Sequence, residues 1–247
     1  MKNLIAFDLD GTLAMSKQPI DPEIATLLAR LMGSLNVAIM SGGDWPQFQA
    51  QLIAHLPDDC DLSRLFLLPT SGAKLYRHDG QWRQIYAEIL SDAERVRITA
   101  ALDTVITALG LSNEPGWEPR IEDRGSQITL SALGQGAPLE AKRAWDPDFS
   151  RRRHIQSMLA PMIPGFSVHV GGSTSVDITR DGVDKGYGIV RLSQAAGIPL
   201  RAILFIGDAL YPGGNDYAVF ETGVDTIAVR DIEQTKRIIE TILLCRS

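Results

Sequence analysis

Short apolar runs alternate with longer amphipathic stretches toward both ends of the chain. Residues 4–7 form an unbroken apolar run, the pattern of a strand buried on both faces. Pro22–Met32 carries apolar positions at helical spacing, and residues 37–40 predict a second strand closed by Ser41-Gly42-Gly43. Asp44 stands where it can cap a following helix whose apolar positions are Trp45, Phe48 and Leu52. Leu65–Leu68 predicts a third strand. Residues 202–206 and 226–229 predict two more, with a helix between them and another over 233–244. Strands alternating with helices predict a parallel α/β sheet.

The middle of the chain, from about 86 to 180, reads differently. A long helical stretch over 92–109 meets a Gly/Pro-rich break over 113–119, followed by a strand over 127–130 and a helix over Ser150–Leu159. Residues 167–170 and 175–179, joined by Gly171-Gly172-Ser173-Thr174, predict a β-hairpin. Helices mixed with antiparallel strands imply an α+β insertion. The expected division is a core of residues 1–84 and 182–247 with an inserted domain of residues 85–181. No internal repeat or low-complexity tail interrupts it.

Composition narrows the class. A hydrophobic fraction of 45% with 22% charged residues is that of a soluble globular protein, and 247 residues can bury a large core or two modest ones. The net charge of -6 argues against nucleic acid as a partner but leaves small phosphorylated molecules open. Cys60 and Cys245 lie far apart, and His55, His78, His154 and His169 lack zinc-like spacing, so a reducing cytoplasm is expected. Asp8 and Asp10 cut the first apolar run too short for a signal peptide, and no run reaches membrane-spanning length.

The chemistry is concentrated at strand ends. Phe7-Asp8-Leu9-Asp10-Gly11-Thr12 puts two carboxylates at the carboxyl edge of a strand, where α/β sheets bind ligands. Burying them there is costly without a cation, and magnesium suits an all-oxygen site. A calcium loop starting at Asp8 is excluded, since its sixth and twelfth positions are Leu13 and Pro19 instead of glycine and glutamate. Ile206-Gly207-Asp208, followed by Pro212-Gly213-Gly214-Asn215-Asp216, brings acidic groups from another strand. Ser41 offers a hydroxyl to a phosphoryl oxygen, against the alternative of a helix-entry turn. Lys185 opens an amphipathic helix just as the sheet resumes, against the alternative of a solvated lysine.

The order Asp-x-Asp-Gly-Thr, strand-end Ser, Lys and Gly-Asp…Asn-Asp resembles the haloacid dehalogenase-like phosphohydrolase superfamily, and the large insertion between Ser41 and Lys185 resembles its C2B cap (subfamily IIB). Ser41-Gly42-Gly43-Asp44 with Gln49-Ala50-Gln51-Leu52, Gly171-Gly172-Ser173-Thr174-Ser175-Val176-Asp177, and the segment Gly207-Asp208…Asn215-Asp216 are similar to eukaryotic phosphomannomutases. The resemblance implies a Rossmann-like α/β core with an α+β cap that sets specificity. It implies that Asp8 is the nucleophile and Asp10 the acid and base. Magnesium would be held by Asp8, the Asp10 backbone carbonyl and Asp208. Ser41, Gly42, Lys185 and Asn215 would hold the phosphoryl group, and Asp216 would support Lys185. In the cap, Arg124 would contact phosphate, and Ser175 and Asp177 sugar hydroxyls.

One position departs from the family. A Gly-Arg pair follows the cap strand in the mutases, whereas here Gly134 precedes Gln135. Lys142, Arg143 or the run Arg151-Arg152-Arg153 could replace the missing charge. The preferred expectation is therefore magnesium-dependent hydrolysis of a small phosphorylated metabolite, a sugar phosphate, by a monomer or homodimer that engages neither nucleic acid nor membrane. The alternative is interconversion of mannose 1-phosphate and 6-phosphate. A catalytically silent sugar-phosphate binder is the remote third, disfavoured because it needs no nucleophile and acid/base together.

Overall fold

The computed structural model describes residues 1–113 and 116–246. From the N-terminus it runs through β1 (Leu4–Asp8), α1 (Pro22–Met32), β2 (Asn36–Met40), α2 (Trp45–Gln51), β3 (Leu65–Leu68), β4 (Lys74–His78) and β5 (Trp82–Ala87). There follow α3 (Asp92–Ala108), β6 (Ile121–Asp123), β7 (Ile128–Ser131), α4 (Leu139–Trp145), α5 (Ser150–Leu159), β8 (Phe166–Val170) and β9 (Ser175–Arg180). The chain closes with α6 (Lys185–Ala196), β10 (Ile203–Gly207), α7 (Tyr217–Glu221), β11 (Asp225–Ala228) and α8 (Ile232–Leu244). It divides into two compact units, Met1–Ala87 with Asp184–Ser247, and Glu88–Val183. Among the described residues no helix is long and apolar enough to cross a membrane.

The discontinuous unit is built on a seven-stranded sheet in the order β11-β10-β1-β2-β3-β4-β5. The first five strands of that order are parallel, and β4 and β5 complete the edge as an antiparallel pair. All five residues of β1 are buried, which is why it reads as a continuous apolar run. Its two faces pack into separate clusters: Ile5 and Phe7 join α1 and α8 residues such as Leu28 and Ile239, while Leu4 and Ala6 join Ile189 and Leu192 of α6. Pro22 opens α1 behind Asp21, whose carboxylate accepts from the Ile24 N–H at 2.8 Å. Because β1 lies between β10 and β2, Asp8, Asp208 and Ser41 emerge side by side at the carboxyl ends of three adjacent strands.

The inserted unit has a four-stranded antiparallel sheet, β6-β7-β9-β8. Ile128, Leu130, Val176 and Ile178 face a hydrophobic cluster with Ile98, Leu102 and Val105 of α3 and Ile155 and Leu159 of α5. Strand alternation puts Thr129, Ser131, Ser175 and Asp177 on the opposite face. Ser91 starts α3 with a complete capping box to Glu94.

Several local expectations need correction. The β4–β5 pair was not visible as strands because its residues are mostly half-buried or exposed and polar. Asp44 occupies the N-cap position of α2 but makes no side-chain cap, because Lys74 of β4 takes its carboxylate at 2.7 Å. The helix expected between the last two strands is only the five-residue α7. Of the break over 113–119, Glu114 and Pro115 lie outside the described residues.

Candidate active site

The site in the discontinuous unit centres on a buried lysine. Lys185 is the first residue of α6, held there because Asp184 caps the helix through the Tyr187 N–H at 2.8 Å. Two glycines let α6 come this close. A Cβ on Gly186 would lie 2.5 Å from the Ala218 carbonyl oxygen, and one on Gly188 would lie 2.8 Å from the Gly72 Cα. The Lys185 Nζ donates to Asp8 Oδ1 and to Asp216 Oδ1, the latter at 2.6 Å. Asp216 Oδ2 accepts from the Ala209 N–H at 3.0 Å, so both its oxygens are engaged. Thr12, fully buried, lies with its hydroxyl 3.5 Å from Asp8 Oδ2.

Carboxylate oxygens of Asp8, Asp208 and Asp216 lie within 4.8 Å of one another. Three carboxylates against the one Lys185 ammonium leave a formal charge of -2 when all are ionised. The imbalance shows in their proton affinities. Burial raises Asp8 well above the ordinary carboxylate range; Lys185 opposes this, and the Asp216 and Asp208 charges add to it. Asp208 is exposed as a residue, yet the protein around its carboxylate withdraws enough water, with repulsion from Asp216, to push it up to about 6. Burial works against the Lys185 ammonium, but the Asp216 and Asp8 charges outweigh it and hold it protonated. Excess negative charge on an all-oxygen donor set fits a small divalent cation. Asp216 is already committed to Lys185 and Ala209, so Asp8 and Asp208 are the carboxylates left for a metal.

Asp10 is handled differently. Its Oδ2 accepts from the Ser41 hydroxyl and from Gln47 Nε2, each at 3.1 Å, and its Oδ1 accepts from the Lys17 N–H at 2.8 Å and from Gln51 Nε2 at 3.5 Å. Ser41 is buried, and its hydroxyl also accepts from the Gly43 N–H at 3.0 Å, across Gly42. Thus Ser41, expected to face a phosphoryl oxygen, is bonded to the expected acid/base. Asn215 is exposed in the turn before α7. Gln47 and Gln51 were missed as site residues. Their spacing of four on α2 placed both amides on one helix face, the signal that could have found them.

In the inserted unit, Thr129 lies opposite Asp177 in the sheet, and its hydroxyl donates to Asp177 Oδ1 at 2.7 Å. Burial raises the Asp177 carboxyl; Arg124, the Thr129 bond and His169 oppose, and Glu122 adds. Arg124 is buried and paired with Glu122 at 2.6 Å, and Ser175 is half-buried opposite Ser131. The candidates for the missing charge separate clearly. Lys142 is buried, and its ammonium donates to the Gln135 carbonyl at 2.8 Å. Arg152 is buried against Asp146 at 2.7 Å, and Arg143, Arg151 and Arg153 are exposed.

Solved structures share this fold. An N-terminally truncated Plasmodium falciparum IMP-nucleotidase superposes with a TM-score of 0.67 at 17% identity, covering 98% of this chain and 70% of that one. A protein from crystal structures showing conservation of a trigonal-bipyramidal intermediate in a phosphoryl-transfer superfamily gives 0.61 at 15% identity, covering 97% and 91%. The fold and its strand-end carboxylates accord with the family match in sequence, which makes the chain a haloacid dehalogenase-like phosphotransferase. The profile of eukaryotic phosphomannomutases matches residues 24–245, and the chain belongs to that family. The Schizosaccharomyces pombe phosphomannomutase is 26% identical over 226 residues, spanning 89% of this chain and 85% of its own; Homo sapiens phosphomannomutase 1 is 25% identical, spanning 88% and 82%.

Proposed function

We propose that the chain moves the phosphoryl group of a hexose phosphate through an aspartyl-phosphate on Asp8 and returns it to a sugar hydroxyl, interconverting mannose 1-phosphate and 6-phosphate. The observation that carries the reading is the buried Lys185 clamped between Asp8 and Asp216, with Asp208 beside them. The lysine fixes the nucleophile and lies where it can offset phosphoryl charge as it builds. Asp8 attacks phosphorus, Asp10 protonates the departing sugar oxygen, and Asp10 then takes the proton of the accepting hydroxyl. Magnesium held by Asp8, Asp208 and the Asp10 carbonyl would supply further charge neutralisation. The inserted unit carries Thr129, Asp177 and Ser175 on one face of its sheet, with Arg124 acting on Asp177 from the turn after β6, residue types that recognise phosphate and sugar hydroxyls.

Family membership favours transfer over the hydrolysis expected first, and the Lys142 ammonium beside Gln135 supports it, because it restores a positive charge where arginine is missing. Hydrolysis stays as the second reading on one observation: Gln135 itself cannot make a bidentate charged contact to a second phosphate. The test is to assay mannose 1-phosphate with magnesium, with and without a hexose bisphosphate, measuring mannose 6-phosphate and inorganic phosphate together. Mannose 6-phosphate should exceed free phosphate. Free phosphate in excess, insensitive to bisphosphate, would establish the hydrolase instead.

A further inference from the structure

We infer that Gln47 is a positioning residue for Asp10, a role that rests on the proposed aspartyl-phosphate chemistry. Three separate pieces of chain hold the Asp10 carboxylate. The Lys17 N–H reaches Oδ1 from the loop after β1; the Ser41 hydroxyl reaches Oδ2 from the end of β2; Gln47 Nε2 reaches the same Oδ2 from α2. A carboxylate held from two sides can still swing about the line joining them. Helix α2 removes that freedom, with Gln47 Nε2 at 3.1 Å as its shorter donor and Gln51 Nε2 reaching the other oxygen at 3.5 Å.

The surroundings of Gln47 are built for this contact. A Cβ on Gly43 would lie 1.9 Å from Gln47 Oε1 and 2.8 Å from Nε2, so the amide lies across a glycine that leaves it room. Helix α2 is itself anchored. Phe48 is fully buried, and Gln51 bonds to the loop that carries Lys17, with its Nε2 donating to the Gln18 carbonyl at 2.7 Å and its carbonyl accepting from the Ile20 N–H at 2.9 Å. Gln47 therefore reaches Asp10 from a support already fixed to the loop on which Asp10 stands.

The consequence is specific to proton transfer. When Asp8 attacks phosphorus, the bond from phosphorus to the sugar oxygen breaks and its electron pair stays on that oxygen, which takes the proton from the Asp10 carboxyl. In the return half, a hydroxyl oxygen attacks phosphorus, the bond to Asp8 breaks, and the hydroxyl proton goes to Asp10. A misplaced Asp10 slows both halves with an alkoxide leaving group but not departure of a nitrophenolate, which needs no proton. Gln47→Ala should then slow phosphorylation of Asp8 by mannose 1-phosphate about ten-fold, the equivalent of one hydrogen bond to a charged group. The KM should barely change.

The experiment follows single-turnover phosphorylation of the full chain with magnesium, from mannose 1-phosphate and from p-nitrophenyl phosphate. Gln47→Ala should be slow with the sugar phosphate and equal to the unaltered chain in its nitrophenolate burst. Gly43→Ala, which displaces the Gln47 amide without removing it, should show the same pattern. In an Asp10→Asn background, Gln47→Ala should have no further effect. Equal losses with both substrates, or a Gln47→Ala effect that persists without Asp10, would overturn the role of Gln47 while leaving Asp8 chemistry standing. An Asp8→Asn chain that still gives a burst would overturn the underlying mechanism instead.

Discussion

At the scale of single residues, the site rests on how few side chains carry its charge. Asp8 is both the proposed nucleophile and one of three clustered carboxylates, two of which share Lys185. Asp8→Asn should leave the circular dichroism spectrum unchanged and abolish turnover, because an amide cannot form the acyl phosphate; near-normal turnover would remove Asp8 from the reaction. The proposed preference for transfer over hydrolysis can be tested at Lys142. Its ammonium donates to the Gln135 carbonyl, and a charge-assisted phosphate contact exceeds a neutral one by about 1–3 kcal/mol, or roughly five- to 150-fold in affinity. Lys142→Met should raise free phosphate relative to mannose 6-phosphate by an amount in that range. An unchanged ratio would mean that Lys142 contributes only to packing.

At the scale of elements, the loop after β3 shows how the Ser41-Gly42-Gly43 turn is held. Thr70 and Ser71 both have left-handed backbones, with φ of 51° and 56°, and their N–H groups donate to the Gly43 and Ser41 carbonyls at 2.9 Å. Such strain persists where surrounding structure requires it, here to fix the chain around Ser41. Ser71→Val should cost about 1–2 kcal/mol, since a β-branched residue fits this region poorly, and should raise the KM for phosphorylated substrate; Ser71→Gly should be at least as stable as the unaltered chain. A thermal melt of the two variants checks the first claim. None of this loop was legible in sequence, where Pro69-Thr70-Ser71-Gly72 reads only as a turn. By contrast β1, β2, β3 and β10 were legible because both faces are buried, and Asp8, Ser41 and Asp208 followed from their ends. Strand β6, with three residues, and the β4–β5 edge carry too little apolar pattern to be seen. Gln47 was missed because its partner lies 37 positions away: the four-residue spacing with Gln51 marks a polar helix face but not what that face meets.

At the scale of the whole molecule, a chain of net charge -6 concentrates part of its excess where Asp8, Asp208 and Asp216 meet, and this couples folding to pH and to metal. Asp208 titrates near 6 in the folded chain against an ordinary value of 3.8, so it binds its proton more tightly folded than unfolded. Its contribution to stability is therefore fully present below 3.8 and is lost as pH rises toward about 6. Glu94, held down to about 2 by Arg180 and the Ser91 N–H, acts in the opposite direction, so the bare pH profile mixes signs. Asp208→Asn isolates the effect, because an amide has no proton to lose. In metal-free buffer the melting temperature of the unaltered chain relative to Asp208→Asn should fall between pH 4 and pH 6.5. Magnesium should reverse the order at pH 7, since a ligand at a hundred times its dissociation constant adds about 2.7 kcal/mol to the form that binds it. The same magnesium should shift Asp208→Asn little, and its effect on the unaltered chain should shrink as pH drops below 6, where a protonated Asp208 no longer donates an anionic oxygen. Equal magnesium shifts in both proteins would place the metal elsewhere. A relative melting temperature that rises with pH without metal would mean that Asp208 is stabilised, not strained, by its neighbours.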